Sequence, residues 1–426
     1  MIDIKLIREN SELVKENIRR RFQDKKLPLV DKILKLDKEW RSMKNEVDKL
    51  RHERNKISKE ISEAKKQNKS SSILMKRAKE IPKKIEGIEK KGKKLKESIN
   101  EELLQIPNII SNETPLGRDA TQNKEIKKWG KLPKFSFDIK NHVELVESLG
   151  IADFESSAKV SGNGFYYLKG DLALLNQALI RFAIDFMSGR GYQYIETPLL
   201  LNESSIYASM DREAIRESVY SLSGEDLNLI GTAEQSLLAM HSNHTFNLAE
   251  LPRKYFSYSM CFRKEIGSHG INEKGLWRTH QFNKIEQFVF CRSEDSEKLY
   301  YELLDNSEKI LQALNLPYRV MELCSGDLAA WKHRSADIDV YRPTTGKYEE
   351  VMSLSNCSDY QARKLNIKFV NKENEREVVY TLNNTALATS RIMVAILENC
   401  QNKDGSVSIP EVLQKYMNGK KKIGKS

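Results

Sequence analysis

Tyr255-Phe-Ser-Tyr-Ser-Met-Cys-Phe262-Arg263-Lys264-Glu265, followed after residues 266–277 by Arg278-Thr-His-Gln-Phe282-Asn-Lys284-Ile-Glu286-Gln-Phe-Val-Phe290, is the stretch from which the fold is read. In the first run the apolar side chains fall at Phe256, Tyr258, Met260 and Phe262, a period of two that predicts a strand. Ser257, Ser259, Arg263 and Glu265 take its other face. The second run alternates as well, with Arg278, His280, Phe282, Lys284 and Glu286 on one face. Between the runs, Gly267, Gly270 and Gly275 mark a mobile loop. Two alternating runs joined by such a loop predict an antiparallel hairpin, one face of which shows both signs of charge around an aromatic ring. A merely solvated face would also carry charge. The ring among arginines and carboxylates favours a nucleotide site: a surface for the base, arginines for phosphates, carboxylates for metal or ammonium.

At 426 residues the chain has room for two or three domains and a sizeable core. No apolar run approaches the roughly 20 residues of a membrane span. The opening Met1-Ile-Asp-Ile-Lys lacks the apolar segment of a secretory signal, so a cytoplasmic protein without membrane attachment is expected. Cysteines at 261, 291, 324, 357 and 400 form no CxxC pair, which points to a reducing compartment and away from a cysteine-rich zinc site. Residues 25–103 hold 25 Lys and Arg against 14 Asp and Glu, an excess of +11 that equals the net charge of the whole chain. So localised an excess fits a polyanionic partner, nucleic acid first, although a soluble charged helix would look similar.

The same basic segment has heptad spacing. Trp40, Met43, Val47, Leu50, Arg54, Ile57, Ile61 and Ala64 recur three and four apart, and Leu74, Ala78, Ile81, Ile85, Ile88, Gly92, Leu95 and Ile99 repeat the pattern after a polar break. An antiparallel coiled-coil hairpin over about 29–104 is predicted, preceded by one short amphipathic helix from Asp3 to Arg21. Pro82 should kink its second helix or delay its start, and Gly92 should loosen the seam. The domain limits read as an arm domain over 1–117, a connection over 118–141, a globular domain over 142–418, and a disordered basic tail over 419–426. Residues 171–187 predict an amphipathic helix, 294–314 and 385–399 two more. Strand-like runs follow Leu227, Tyr255, Arg278, Arg319, Asp337 and Tyr348. Together they give an α+β fold on an antiparallel sheet.

Phe262-Arg263-Lys264-Glu265 and Arg278-Thr-His-Gln-Phe282-Asn-Lys-Ile-Glu286 resemble motif 2 of class II aminoacyl-tRNA synthetases, in the version found in seryl-tRNA synthetases. The resemblance extends over nearly the whole chain. The basic hairpin occupies the place of that family's tRNA-binding arm, and Gly191 to Pro198 resembles motif 1 at its dimer interface. Gly231-Thr232-Ala233-Glu234 resembles its serine loop, and Asn383-Asn384-Thr385-Ala-Leu-Ala-Thr-Ser-Arg391 its motif 3, with a helix beginning near Ala386. Tyr348 to Arg363 resembles the stretch whose glutamate and serine hold metal and phosphate.

The resemblance implies ATP-dependent ligation of L-serine to tRNA(Ser) through a seryl-adenylate, in a homodimer with Mg2+ and without zinc. Whether tRNA(Sec) is charged stays open. Arg263 and Arg391 would be catalytic. ATP would be held by Arg263, Glu265, Arg278, Phe282, Glu350, Ser353 and Arg391, with Mg2+ on Glu350 and Ser353. Serine would be held by Thr232, Glu234, Arg263, Glu286, Asn383 and Thr385. Two other readings remain: a relative that acylates a carrier protein, and a non-catalytic RNA-binding relative. Departures from the family pattern are Ala336, Glu349, Met352, Leu354, Ile266 and Ile271. Glu349 stands where arginine is common, and its added charge beside Glu350 should weaken ATP binding.

Overall fold

The computed structural model describes residues 1–265 and 274–424, apart from the side chains of residues 212 and 213. The glycine-bearing loop predicted between the two runs lies largely outside the described residues, as does the end of the basic tail. The chain divides into two compact units, residues 2–107 and Met1 with residues 108–426.

In the first unit, helix α1 (Leu27–Lys66) and helix α2 (Ser72–Leu103) pair as the heptads predict. Forty residues at about 1.5 Å each make α1 roughly 60 Å long. Val47, Ile57, Ile81 and Ile85 bury the seam, while Arg54 stays exposed. Pro82 neither delays nor ends α2. An interior proline costs a helix about 3 kcal/mol or more, and here its neighbours Ile81 and Ile85 are locked into the seam. Gly92 also sits within the unbroken helix. The single N-terminal helix is instead two, Ile4–Glu9 and Ser11–Arg20, because the side chain of Asn10 accepts a hydrogen bond from Leu13 N and caps the second. Arg8 pairs with buried Asp37 at 2.6 Å and Lys15 with Asp31 at 2.8 Å, fastening these helices to the base of α1.

The second unit is built on an eight-stranded sheet. Its strands are β1 (Lys124–Trp129), β2 (Gln193–Tyr194), β3 (Arg253–Phe262), β4 (Gln281–Cys291), β5 (Tyr318–Glu322), β6 (Arg334–Arg342), β7 (Lys347–Asn356) and β8 (Tyr380–Ala388), in the order β1-β5-β6-β7-β8-β4-β3-β2. All neighbours are antiparallel except β2 and β3. Residues read as a connection thus supply an edge strand, β1. The tail is ordered through Lys422–Ile423, which pairs with Val407–Ser408 and buries Ile423.

The β3–β4 hairpin has the predicted pairing, with Cys261 opposite Phe282, Ser259 opposite Lys284 and Ser257 opposite Glu286. Its second strand begins at Gln281 and not at Arg278, because His280 N–H turns to the carbonyl of Gly164. Helices α3 (Gly170–Ser188), α4 (Ser296–Ala313) and α5 (Thr389–Asn399) carry buried side chains into the apolar core shared with Phe256, Ile285 and Val289. Helix α5 starts at Thr389, later than predicted, since the preceding residues pair with β4 as a strand. On the core side Gln287 and Asn384 bond Ser307 at 3.1 and 2.8 Å, which ties β4 and β8 to α4. Tyr258, Met260 and Phe262 of the apolar face are not fully buried, and Met260 is 39% exposed. The serine-bearing face is the better covered of the two.

Candidate active site

The polar face of β4, with Arg263 just beyond the end of β3, floors a cavity of about 500 Å³. Glu286 lies on the central strand between Ser257 and Thr385, and Lys284 between Ser259 and Ala388. Both are buried and their charges meet at 2.6 Å, although Glu286 Oε2 receives no properly directed hydrogen bond. That oxygen is held by charge alone, and Glu286 lines the cavity.

Around this floor stand all the residues singled out from the sequence: Thr232, Glu234, Arg263, Glu265, Arg278, Phe282, Glu286, Glu350, Ser353, Asn383, Thr385 and Arg391. Thr232 caps the short helix Ala233–Ala239, which holds Glu234 over the floor. Glu234 accepts from Gln361 at 2.7 Å and from Asn383 at 3.0 Å. Burial, then the nearby charge of Glu286, raises its pKa to about 6. Arg263 continues β3; its Nε donates to the carbonyl of Gly231 at 3.1 Å and its guanidinium lies 5.4 Å from the Phe282 ring centre. Glu265, with φ 51°, adopts the left-handed conformation that turns its carboxylate to within 3.7 Å of Arg278.

Two β-bulges decide how the other wall is aimed. Glu350 and Ser353 are an odd number of residues apart, so a regular strand would point them to opposite faces. The register shifts between Ile338 and Asp339, which puts Glu350 beside Asp339 and Ser353 beside Asp337, on one face. A second shift, between Thr385 and Leu387, sets Ala388 opposite Lys284 at the floor before α5 begins. The ladder between β7 and β8 covers only Leu354 to Asn356. Arg391, early in α5, reaches to β7 and donates to the carbonyl of Glu350 at 2.7 Å.

Several functional candidates escaped the sequence reading. Alternation puts Lys284 on the right face but gives it no role. Trp277, Trp331 and Lys332 line the cavity, and no periodicity or spacing signalled them. Asp337 is half-buried with a covered Oδ1 that lacks a hydrogen bond, and desolvation, then Glu350, raises it to about 7. Trp277 carries two guanidiniums, that of Arg342 at 4.5 Å and that of Arg391 at 5.5 Å from its ring centre. Arg342 is held by Glu398 at 2.7 Å and Glu349 at 2.9 Å, so the unusual charge of Glu349 is met by its own partner. Burial pushes Glu398 up, but hydrogen bonds from His142, Arg342 and Thr344 outweigh it and hold the carboxyl at about 2.

Known proteins share this sequence pattern and fold. A family model described as the seryl-tRNA synthetase N-terminal domain matches residues 1–110, and one for the class II tRNA synthetase core domain (G, H, P, S and T) matches 219–400. A serine--tRNA ligase from Methanocella arvoryzae is 45% identical over 98% of this chain and 99% of its own length. The seryl-tRNA synthetase of Pyrococcus horikoshii, solved with ATP, superposes with a TM-score of 0.94 at 42% identity over all of both chains. The cytoplasmic enzyme from Naegleria fowleri, solved with AMP, gives 0.89 at 33% identity over 100% of this chain and 99% of its own. With both units matched by family models and relatives aligned end to end, the chain belongs to the seryl-tRNA synthetase family of class II aminoacyl-tRNA synthetases.

Proposed function

We propose that the chain activates L-serine with ATP and transfers it to tRNA(Ser). The observation that carries this reading is the convergence of residues from four separate stretches on one cavity, with cations at its rim and the buried carboxylate of Glu286 at its floor. A serine carboxylate oxygen attacks the α-phosphorus of ATP and pyrophosphate leaves. The terminal ribose hydroxyl of the tRNA then attacks the carbonyl carbon of the seryl-adenylate, and AMP leaves.

Arg263 sits where the two anions meet and offsets both charges at once; a guanidinium keeps its charge in a covered site where lysine would tend to lose it. Phe282 offers a face to adenine and Arg391 the opposing plane, with Glu265 at the amino group and Arg278 at the outer phosphates. Glu286, Thr232 and Glu234 take the serine ammonium, and Glu286 with Thr385 and Asn383 takes the hydroxyl. Alanine would leave those buried groups unpaired, and sites of this kind strongly reject the analogue that lacks the hydroxyl. Serine-dependent ATP–pyrophosphate exchange across a panel of amino acids tests this. Exchange strongest with an amino acid other than serine, or none at all, would sink it.

The oxygen donors on one face of β6 and β7 suit Mg2+. Glu350 and Ser353 would hold it beside the orphaned oxygen of Asp337, with phosphates completing the shell. When bound it would draw negative charge from the phosphates. Asp337, beside Ser353, would join this oxygen set.

The pKa of Glu234 makes serine use depend on pH. Because the group is raised to about 6, it is protonated below that value and cannot attract an ammonium. The kcat/KM for serine should fall as pH drops through 6, by roughly tenfold per unit well below it, and Glu234→Gln should remove the inflection. A profile flat from pH 7 to 5 would exclude this role. Trp277→Leu removes the surface under Arg391. Cation–π contacts of about 0.5–2 kcal/mol predict a rise in KM for ATP of roughly 2- to 30-fold, with KM for serine unchanged and Trp277→Phe close to wild type. Equal kinetics for the Leu and Phe variants would rule it out.

The basic arm is the element we assign to tRNA. The protein acts as a homodimer joined through residues 191–198, at the β2 edge where the sheet ends. Closed twofold symmetry is the common outcome for such an interface; a monomer by light scattering at micromolar concentration would contradict it. No described helix is long and apolar enough to cross a membrane. The free cysteines fit a cytoplasmic setting.

A further inference from the structure

We infer that Lys332 is an additional phosphate-binding cation of this cavity, standing on the wall across the sheet from Arg263. The inference rests on the reading of the cavity as an ATP site.

Lys332 lies in Ala330-Trp331-Lys332-His333, the turn that enters β6 (Arg334–Arg342). The turn is clamped by its histidine. His333 N–H donates to the carbonyl of Asn356 at 2.8 Å, and His333 Nδ1 lies 2.7 Å from the carbonyl of Ile109. Held in this way, Trp331 and Lys332 both line the cavity. Lys332 Nζ donates to Ser335 Oγ at 3.0 Å and to Ser353 Oγ at 3.3 Å. Ser335 is fully buried, so the first contact fixes the ammonium from beneath. The second places it against the hydroxyl that, in the reading above, meets metal and phosphate. A phosphate accepting from Ser353 would therefore sit within reach of the lysine's charge. The ammonium also stands near enough to Glu234 and Asp337 to favour the ionised form of each.

The dimensions of the sheet give this cation a separate task. From β7, which carries Ser353, to β3, which leads into Arg263, the order β7-β8-β4-β3 makes three interstrand steps, about 14 Å at ~4.8 Å each. Arg263 is thus anchored three strands away from Ser353, while Arg278 at the outer phosphates and Arg391 against adenine already have their tasks. Lys284 is not a substitute, since its charge is already met by Glu286 at 2.6 Å. As the serine oxygen bonds to the α-phosphorus and the bond to the β-phosphate oxygen breaks, negative charge gathers on the departing pyrophosphate. Lys332 would offset charge on the β7 side while Arg263 does so at the forming bond.

The test uses the full chain with Lys332→Gln and Lys332→Arg, in serine-dependent exchange with ATP, pyrophosphate and serine each varied. Binding of ATP alone is followed by calorimetry, and folding by thermal unfolding. The expected result for Lys332→Gln is a loss of about 10²-fold in kcat/KM for ATP and for pyrophosphate, with weaker calorimetric binding of ATP and an unchanged KM for serine. Lys332→Arg should restore most of the loss. Unaltered exchange in Lys332→Gln would overturn the inference, as would a defect confined to KM for serine, which would reassign the ammonium to the amino-acid carboxylate. A defect that Arg does not restore, with a lowered unfolding midpoint, would show a purely structural role and also overturn it. Absence of exchange in the unmodified protein would instead overturn the parent reading, so the two failures are distinguishable.

Discussion

Replacing Arg263 with lysine is expected to slow serine-dependent pyrophosphate exchange by about 10²–10³, the usual cost of losing one oriented donor to transition-state charge. Charge is conserved in this substitution; geometry is not. Arg263 is steered by the Nε bond to Gly231 and by the Phe282 ring, so its planar fork enters the cavity in one orientation. A lysine at this position has no second nitrogen for the Gly231 carbonyl and presents a point charge on a flexible stem. The defect should appear chiefly in kcat, because the two anions come together only as the new bond forms. Circular dichroism and unfolding should match the parent protein. Near-normal exchange in Arg263→Lys would mean that the meeting point of carboxylate and α-phosphate lies elsewhere in the cavity.

Shortening the arm should separate the two half-reactions. The base of α1 has to stay, because Arg8 with Asp37 and Lys15 with Asp31 fasten the short N-terminal helices there. Replacing residues 50–88 by a short glycine-serine turn removes the distal seam, including Ile57, Ile81 and Ile85, and leaves that base. Every residue assigned to ATP or serine lies in the other compact unit, so exchange should proceed at the parent rate. Serylation of tRNA should fall by at least about 100-fold in kcat/KM at near-physiological salt, as expected when several phosphate contacts are lost together. The intact protein should lose charging efficiency steeply as salt rises, and the shortened one far less. Exchange and charging both undiminished would show that the arm's basic excess has another purpose.

Fold and site were not equally legible in the sequence. The alternation from Tyr255 to Phe290 determined the β3–β4 hairpin and the face shared by Arg263, Phe282, Lys284 and Glu286, since a strand's side chains have a period of two that any chain segment displays by itself. The heptads determined the arm in the same way, and the burial of its seam carried α2 through Pro82 against local propensity. Period alone could not aim Glu350 and Ser353 to one face, because their odd separation is reconciled only by a bulge. Nor could it end β8 at Ala388, whose strand pairing with β4 overrides the helical character of the residues before α5. Asp337 of β6 lies beside Ser353 of the cavity wall, and Trp277 and Lys332 reach the cavity from the loop stem before β4 and from a turn clamped by His333. Their roles depend on partners far along the chain: Glu350 for the first, Arg342 and Arg391 for the second, Ser353 for the third. A periodic pattern records which face a residue occupies within its own element. Which faces confront each other across a cavity is settled by strand order and register, and these exist only once the sheet has formed.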